Sequence, residues 1–200
     1  GALLSKIAAQ ALSNSLTGFE FASGIPGTLG GAVMMNAGAY GGEMKDVLTS
    51  VRVMTEEGEI MELPAEELGL GYRTSIIPEK RYIVLGAVIS LTEGKKEEIK
   101  AQMDDLRQKR VSKQPLEYPS AGSTFKRPEG YFAGKLIQDS GLKGFTVGGA
   151  QVSEKHSGFV INKGNATAAD VMELIRQVTA KVKEDTGVTM EPEVKQIGEF

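Results

Sequence analysis

The chain has 200 residues, of which 40% are hydrophobic and 24% are charged, and its formal net charge at pH 7 is −3. This composition is typical of a globular protein that folds in water, and the negative charge argues against a nucleic-acid binder that relies on overall positive charge. There is no cysteine and one histidine, His156, which excludes disulfides and a zinc site of clustered histidines. No apolar run approaches the roughly 18 residues of a membrane span. We therefore expect no metal and no contact with nucleic acid or membrane.

The first half of the chain is predicted to mix helices and strands. The helical spacing of apolar residues predicts a helix over residues 2–16 and a short buried helix over residues 29–35. The apolar period then changes to two, and two such segments joined by Glu57-Gly58 predict a β-hairpin. Residues 82–91 are apolar and β-rich enough to predict a buried strand.

The composition changes at Gly94, where a polar helix begins with Ile99, Met103 and Leu106 on one face. We place the domain boundary there, with one domain over residues 1–94 and a second over residues 95–200. The last helix is predicted to start at a capping box formed by Thr167 and Asp170 and to end at Gly187. Further elements of the second domain are predicted as a helix over 133–140 and strands over 147–152, 158–162 and 189–197. The fold class is therefore α+β.

Residues 23–42, SGIPGTLGGAVMMNAGAYGG, contain seven glycines and no charged side chain. Glycine costs about 0.5–1 kcal/mol relative to alanine in regular structure, so this density indicates that something approaches the backbone closely. One interpretation is tight packing within the protein itself. The other is a ligand cradle, in which backbone N–H groups bind a phosphate or the polar edge of a heterocycle. The stretch matches neither the P-loop pattern nor a clear dinucleotide fingerprint, so these residues alone leave both interpretations open.

A second candidate segment is YPSAGSTFKRP, residues 118–128. Ser123 is by default a turn serine that satisfies a backbone group, and the alternative is a positioned proton donor. Residues 106–128 carry a net charge of +5, which would attract a small polyanion. A solvated helix face explains the first three of these charges equally well, so Lys113, Lys126 and Arg127 carry more weight.

Three further side chains are candidates for a site. Arg73, in GYRTS, has the default interpretation of a surface arginine, but guanidinium is the side-chain group best suited to grip a carboxylate through two parallel hydrogen bonds. Glu193, in MEPEVK, would ordinarily face water beside Glu191 by strand alternation. The default interpretation of His156 is a packed or surface residue rather than a catalytic base.

GIPGTLGGAVMMNAGAYGG, GYRTS, AGSTFKRP and EPEVK occur in this order, and together they resemble the UDP-N-acetylenolpyruvoylglucosamine reductase (MurB) family of peptidoglycan precursor synthesis. The resemblance runs from about Leu16 to Gly198. It implies an FAD-binding module of the vanillyl-alcohol-oxidase type followed by an α+β substrate-binding domain. It also implies a cytoplasmic, monomeric enzyme of cell wall biogenesis, on which cell shape and division depend.

The resemblance implies a reaction and the residues that perform it. NADPH would reduce FAD, the flavin would pass hydride to C3 of the enolpyruvyl group of UDP-N-acetylglucosamine enolpyruvate, and a proton at C2 would complete UDP-N-acetylmuramate. By resemblance Ser123 donates that proton, while Arg73 and Glu193 bind and stabilise the substrate carboxylate as it gains enolate character. Further residues that the resemblance places against the substrate, the first two near its diphosphate, are Lys113, Arg127 and His156.

The resemblance also assigns the glycine-rich stretch to FAD, with residues 25–31 and 36–41 forming a surface on which a side chain would collide with the flavin ring. The residues so assigned are Gly24, Ile25, Pro26, Gly27, Thr28, Gly30, Gly31, Asn36, Gly38, Tyr40 and Gly41. The family's N-terminal subdomain and its glycine-rich pyrophosphate loop have no counterpart ahead of Gly1. We therefore expect these 200 residues alone to bind flavin poorly and to be inactive.

One feature indicates which branch of the family the chain resembles, and two other functional classes are alternatives to the reductase. The long tyrosine-bearing insertion of one branch has no counterpart between Lys80 and Lys113, which indicates the shorter-loop branch. The competing class is a non-catalytic nucleotide-sugar or anion-binding module. A third class, an RNA-binding domain that uses residues 107–113, is disfavoured by the net charge and by an aromatic content of 6%.

Overall fold

The structure is a computed structural model, and it describes residues 1–198. The chain divides into two compact units, one of residues 1–110 and the other from Val111 onward. Both contain helices and antiparallel sheets, so the predicted α+β class is confirmed. None of the helices within residues 1–198 combines the length and the apolar character that a membrane crossing requires.

The first unit is built on a three-stranded antiparallel sheet in the order β5-β4-β6, with two short strand pairs, β1-β7 and β2-β3, beside it. Its helices are α1 (Leu4–Ser13), α2 (Leu29–Met34), α3 (Ile76–Glu79) and most of α4 (Lys96–Lys113). Its strands are β1 (Leu16–Thr17), β2 (Gly38–Ala39), β3 (Gly42–Glu43), β4 (Leu48–Met54), β5 (Ile60–Pro64), β6 (Ile83–Ile89) and β7 (Thr92–Glu93).

The core of the first unit holds the glycine-rich segment in place. Val51 and Val53 of β4 are fully buried while Arg52 between them is exposed, as the period of two requires. They pack in one cluster with Leu4 of α1 and Val33 of α2. Burial of an aliphatic side chain stabilises a fold by about 1.5–3 kcal/mol, so this cluster fixes α2 and the residues that flank it.

Two predicted elements of the first unit are confirmed and one is shortened. The short helix after the first glycines is α2, and the predicted hairpin is β4–β5, closed by a turn with Gly58 at φ +86°. The predicted helix over residues 2–16 is shorter at both ends. It begins at Leu4, because Leu29 donates its N–H to the Ala2 carbonyl and Leu3 pairs with Thr28. Residues 2 and 3 thus bind the glycine-rich segment instead of starting the helix. The helix ends at Ser13, and Leu16 instead pairs with Glu93 in the short pair β1-β7.

The strand predicted over residues 82–91 exists as β6, but the prediction that it is buried is wrong. β6 is an edge strand, with Ile83 56% exposed and Val88 52% exposed. An apolar run shows that a strand is compatible with a core, but it does not distinguish a central strand from an edge strand. The outer face of this sheet therefore carries apolar side chains.

The second unit is a four-stranded antiparallel sheet in the order β8-β11-β10-β9, against which two helices pack. Its elements are β8 (Ser120–Ser123), α5 (Ala133–Asp139), β9 (Thr146–Val147), β10 (Ala150–Val152), β11 (Phe159–Asn162) and α6 (Ala168–Thr186). Ile137 of α5, Val152 of β10 and Leu174 and Val178 of α6 are fully buried in one core.

The start and end of α6 are confirmed as predicted. The Thr167 hydroxyl accepts the Asp170 N–H at 3.1 Å, the Asp170 carboxylate accepts the Thr167 N–H at 2.9 Å, and Gly187 ends the helix at φ +73°. The backbone N–H groups of Thr167 and Gly149 lower the pKa of the Asp170 carboxyl. The same carboxylate therefore caps α6 and binds the turn between β9 and β10.

Two strand predictions in the second unit are wrong. Residues 147–152 are not one strand, because the chain reverses between β9 and β10 at Gly148, which has φ +52° and where a Cβ would overlap Asp170. In place of a last strand over residues 189–197, the described part of this segment has a single bridge between Pro192 and Phe125. Proline lacks the N–H that a continuous ladder needs.

Candidate functional site

Several glycines of the segment 23–42 are required by the packing of the first unit itself. A Cβ on Gly38 would lie 2.7 Å from the Gly42 carbonyl oxygen, and a Cβ on Gly42 would lie 2.8 Å from the Phe21 ring. Gly41 has φ +91°, a conformation that disfavours other residues. Close packing and backbone conformation therefore explain glycine at these three positions without a ligand.

Gly27, Gly30 and Gly31 differ from that group. A Cβ on Gly27 would meet nothing within 4 Å, and one on Gly31 would meet only the Thr28 hydroxyl, at 3.8 Å. One on Gly30 would make an ordinary contact of 3.6 Å with Val84. Gly27 and Gly31 are exposed, and their backbone is not in the left-handed region. No contact in the first unit demands glycine there, so this surface has room for a ligand that lies flat on the backbone.

The other residues assigned to the cofactor line the same segment. Gly24, Pro26 and Tyr40 are exposed, Ile25 and Thr28 are half-buried, and Asn36 is fully buried. A Cβ on Gly24 would come within 3.0 Å of the Arg110 side chain. The segment thus presents a surface of backbone and small side chains, and its one buried polar side chain, Asn36, faces inward.

Arg73 lies on a two-residue turn that is held against this segment. Gly71 and Thr74 exchange backbone hydrogen bonds of 3.2 and 3.3 Å across Tyr72 and Arg73. The Arg73 guanidinium donates to the Gly38 carbonyl at 3.1 Å and is 5.0 Å from the Tyr72 ring centroid. The structure therefore places Arg73 and the glycine-rich segment side by side within the first unit.

Arg73 and Tyr40 both have left-handed backbones, with φ +54° and +53°. Such values are uncommon for residues with bulky side chains, and they cluster at functional sites, where surrounding contacts maintain the strain. Nothing in the sequence indicated this conformation at either position.

The backbones of Ser123 and Glu193 lie close together in the second unit, although many residues separate them in the chain. Ser123 ends β8 and pairs with Phe159 of β11. The next residue, Thr124, is fully buried; its N–H donates to the Gly158 carbonyl at 2.8 Å, and its carbonyl accepts the Glu193 N–H at 2.8 Å. Thr124 thus links the two predicted catalytic residues of this unit through its own backbone.

Glu193 and Glu191 have different surroundings, contrary to the expectation from strand alternation. Glu191 is exposed and forms an ion pair of 2.9 Å with Lys126, which lowers the pKa of the Glu191 carboxyl. Glu193 is half-buried. Because this segment forms a bridge and not a continuous strand, alternation does not apply to it.

His156 borders the same place as Ser123. A Cβ added to Gly158 would lie 3.1 Å from the His156 ring and 3.6 Å from the Ser123 hydroxyl oxygen, so both side chains border the same point. The Gly158 N–H donates to His156 Nδ1 at 3.1 Å, and the ring packs edge-on to Phe159. Burial lowers the pKa of His156 from its ordinary value of 6.5, and the charges of Lys113 and Lys143 lower it further. The imidazole is therefore neutral at pH 7.

The remaining predicted substrate contacts are cationic side chains at the surface of the second unit. Lys113 ends α4 and is exposed. The Arg127 guanidinium stacks on Phe132 at 4.0 Å from the ring centroid and donates through Nε to the Tyr131 carbonyl at 3.2 Å. Lys126, which the charge count also singled out, is paired with Glu191. In the part of the chain that the structure describes, no three histidine or carboxylate side chains are grouped as a metal site.

Comparison with known proteins first gives a class. A family model described as "FAD binding domain" matches residues 1–64, and one described as "UDP-N-acetylenolpyruvoylglucosamine reductase, C-terminal domain" matches residues 114–197. The fold and the open glycine surface therefore belong to a protein with an FAD-binding domain followed by the C-terminal domain of a reductase.

Individual relatives then give the family. The chain is 64% identical over its whole length to UDP-N-acetylenolpyruvoylglucosamine reductase of Agathobacter rectalis and 62% identical to that of Caldanaerobacter subterraneus. It is 40% identical to the crystal structure of the reductase (MurB) from Thermus caldophilus, with a TM-score of 0.84 over 96% of this chain and 69% of that chain. The chain belongs to the UDP-N-acetylenolpyruvoylglucosamine reductase family, as the sequence motifs predicted. It spans 64% of the length of the Agathobacter protein.

Proposed function

We propose that this protein is an FAD-dependent reductase that uses NADPH to convert UDP-N-acetylglucosamine enolpyruvate to UDP-N-acetylmuramate. Family membership supports the reaction. The observation that carries the assignment of roles is the link through Thr124 between Ser123 and Glu193, with neutral His156 beside Ser123. We assign residues 1–94 to the FAD-binding part and residues 95–200 to the substrate-binding part.

FAD binds over the open glycine surface. Gly27, Gly30 and Gly31 fit this role because the first unit itself does not require glycine at these positions. Tyr40 and Gly41, both exposed, border the second half of the same segment. Once bound there, FAD would supply the hydride-transfer chemistry between NADPH and the enolpyruvyl double bond.

Arg73 binds the carboxylate of the enolpyruvyl group. Hydride addition to one carbon of the double bond makes the other carbon and its carboxylate electron-rich. A donor that is already oriented stabilises that charge by several kcal/mol, because no reorganisation is needed as the charge develops. The hydrogen bond from Arg73 to the Gly38 carbonyl orients the guanidinium in advance.

Ser123 supplies the proton that completes the reduction. Hydride adds to C3 and a proton adds to C2, so the double bond becomes a single bond and the charges balance. A serine hydroxyl is a very weak acid, and it can act only where it is positioned against a strongly basic carbon. Ser123 is exposed at the end of β8. Glu193 stabilises the substrate carboxylate, as it gains enolate character, by donating a hydrogen bond from its carboxyl group.

Lys113 and Arg127 bind near the diphosphate of the substrate, and His156 makes a polar contact to it. Neutral His156 accepts at Nδ1 from Gly158, so Nε2 carries the proton and can donate. On this proposal the protein works as a monomer in the cytoplasm, in peptidoglycan precursor synthesis, without nucleic-acid or membrane partners.

The test is turnover by the full-length gene product supplied with FAD. Consumption of NADPH that depends on the enolpyruvyl substrate, with a product heavier by two hydrogens in mass spectrometry, is expected. Binding of UDP-N-acetylglucosamine without retention of flavin, and without product, would instead favour a nucleotide-sugar-binding module. For residues 1–200 alone, we expect weak flavin retention and no turnover.

A further inference from the structure

Asn36 is a polar side chain in an unusual place. It lies two residues after the end of α2, it is 0% exposed, and its backbone is left-handed with φ +40°. Asparagine tolerates this backbone better than most residues, which explains the residue type in part. Backbone preference does not explain why its carboxamide is buried.

The carboxamide is satisfied on both sides by partners within the first unit. Its nitrogen donates to the Glu43 carboxylate at 2.8 Å and to the Gly71 carbonyl at 3.0 Å, and its oxygen accepts the Lys45 N–H at 2.9 Å. The two acceptors and the one donor fix which end of the amide is nitrogen. Both amide hydrogens are therefore used inside the protein.

One of these bonds leads to Arg73. Gly71 opens the turn on which Arg73 lies, and the Arg73 guanidinium donates in return to Gly38, two residues after Asn36. A third hydrogen bond ties the two segments where the Ser75 hydroxyl donates to the Met34 carbonyl at 2.7 Å. Asn36 and Arg73 thus belong to one closed set of hydrogen bonds between the glycine-rich segment and the turn.

We propose that Asn36 is a positioning residue, whose buried carboxamide fixes the Gly71–Thr74 turn and thereby aims the Arg73 guanidinium. The inference rests on the proposed function, in which Arg73 binds the substrate carboxylate. The bonds that close the turn from within are long, at 3.2 and 3.3 Å, and Arg73 itself has a strained backbone. Such a turn keeps its shape only if neighbouring groups hold it, and the Asn36 amide donates directly to the carbonyl of Gly71, the residue that opens the turn.

The experiment is a double-mutant cycle in the full-length, FAD-loaded protein. Asn36→Asp keeps the size and the tolerance of a left-handed backbone but cannot donate to Gly71, and Asn36→Gly keeps the backbone but removes the amide. Each is combined with Arg73→Ala. The matched control is Glu20→Gln, another buried polar side chain of the first unit, whose hydrogen bonds go to Thr17 and Gly18.

Loss of positioning is expected to lower kcat with the enolpyruvyl substrate by about 100-fold in either Asn36 variant, because small misplacements of an oriented group have effects of this size. In the Arg73→Ala background the same Asn36 changes should lower kcat by less than about three-fold, since the group they position is gone. In the Glu20→Gln control, both kcat and flavin reduction by NADPH should stay within about three-fold of wild type. If an Asn36 change lowers kcat by the same factor in the Arg73→Ala background as in the wild-type background, the two residues act independently and the proposal is overturned.

A second readout does not depend on turnover. Hydrogen exchange of the backbone amides of residues 71–74 should become faster in both Asn36 variants and remain unchanged in Glu20→Gln. Unchanged exchange in the Asn36 variants would refute the positioning role even if turnover fell. If wild-type protein shows no reductase activity, the proposed function fails, while this exchange measurement still tests whether Asn36 holds the turn.

Discussion

Replacing Gly27 by alanine separates the two interpretations of the glycine-rich segment. The added methyl group meets no atom of the protein within 4 Å, and the Gly27 backbone is outside the left-handed region. The folded state should therefore accept it without strain. Because alanine restricts the unfolded chain more than glycine does, the free energy of unfolding should rise by about 0.4–1 kcal/mol.

The same methyl group projects into the surface that we assign to FAD. Forcing an extra methyl into a packed contact costs about 1–3 kcal/mol, which corresponds to a loss of FAD affinity of roughly ten- to hundred-fold. Gly38→Ala is the opposite case. Its methyl would lie 2.7 Å from the Gly42 carbonyl oxygen, so this variant should lose about 1–3 kcal/mol of stability before any ligand is added.

The assay is urea unfolding of the full-length, flavin-free protein followed by titration with FAD, monitored by flavin fluorescence, for wild type and both variants. Gly27→Ala should be at least as stable as wild type yet bind FAD more weakly. If Gly27→Ala binds FAD as tightly as wild type, the flavin does not lie against this surface. If it destabilises the flavin-free protein as much as Gly38→Ala does, the open space at Gly27 is not present in the folded state.

Two further predictions concern the second unit. Glu193→Ala, which removes the carboxyl group proposed to donate to the substrate, should slow oxidation of the reduced flavin by the enolpyruvyl substrate by at least about ten-fold. Glu191→Ala, which removes only an exposed ion pair, should change that rate by less than about two-fold, and equal effects would contradict the assignment. The pKa of His156 is lowered from 6.5 in the folded state. As the pH falls below 6.5 the unfolded state therefore binds more protons than the folded state, and the free energy of unfolding should decrease. His156→Gln should remove that part of the pH dependence in urea unfolding at about pH 5 and pH 8, and an unchanged slope would show that His156 titrates normally.

Local sequence signals predicted those parts of the fold in which one segment determines its own structure. Thr167, Asp170 and Gly187 bounded α6 correctly, because capping is a contact between residues three or four positions apart and the terminal glycine needs only its own backbone. The β4–β5 hairpin was predicted for the same reason. These elements do not depend on what lies opposite them.

Some predictions failed where contacts with a distant segment determine the local structure. The first helix begins at Leu4 because residues 2 and 3 pair with residues 27–29, and nothing near residue 2 in the sequence indicates that contact. The reversal at Gly148-Gly149 is different, because a Gly-Gly pair between two apolar segments is a local turn signal that the strand prediction missed. Asp170, far along the chain, occupies the space that a side chain on Gly148 would need. Pro192 lies within the strand predicted over residues 189–197, but that prediction did not take into account that proline would limit this segment to one bridge.

The candidate site shows the same division. The motifs named the family and the residues, but the roles of individual glycines became distinct only when the surroundings of each were known. Gly38 and Gly42 prove to be packing residues, while Gly27 and Gly31 have open space, and composition treats all four alike. The buried network of Asn36 was also invisible, because its partners lie up to 35 residues away.

The most direct test of the account is transient kinetics of Ser123→Ala in the full-length, FAD-loaded protein, with the two half-reactions measured separately. A proton donor is needed only when the substrate is reduced, so reduction of the flavin by NADPH should keep its wild-type rate. Reoxidation by the enolpyruvyl substrate should slow by about 100-fold or more. Equal slowing of both half-reactions, or wild-type reoxidation, would contradict the role of Ser123 and with it the proposed mechanism.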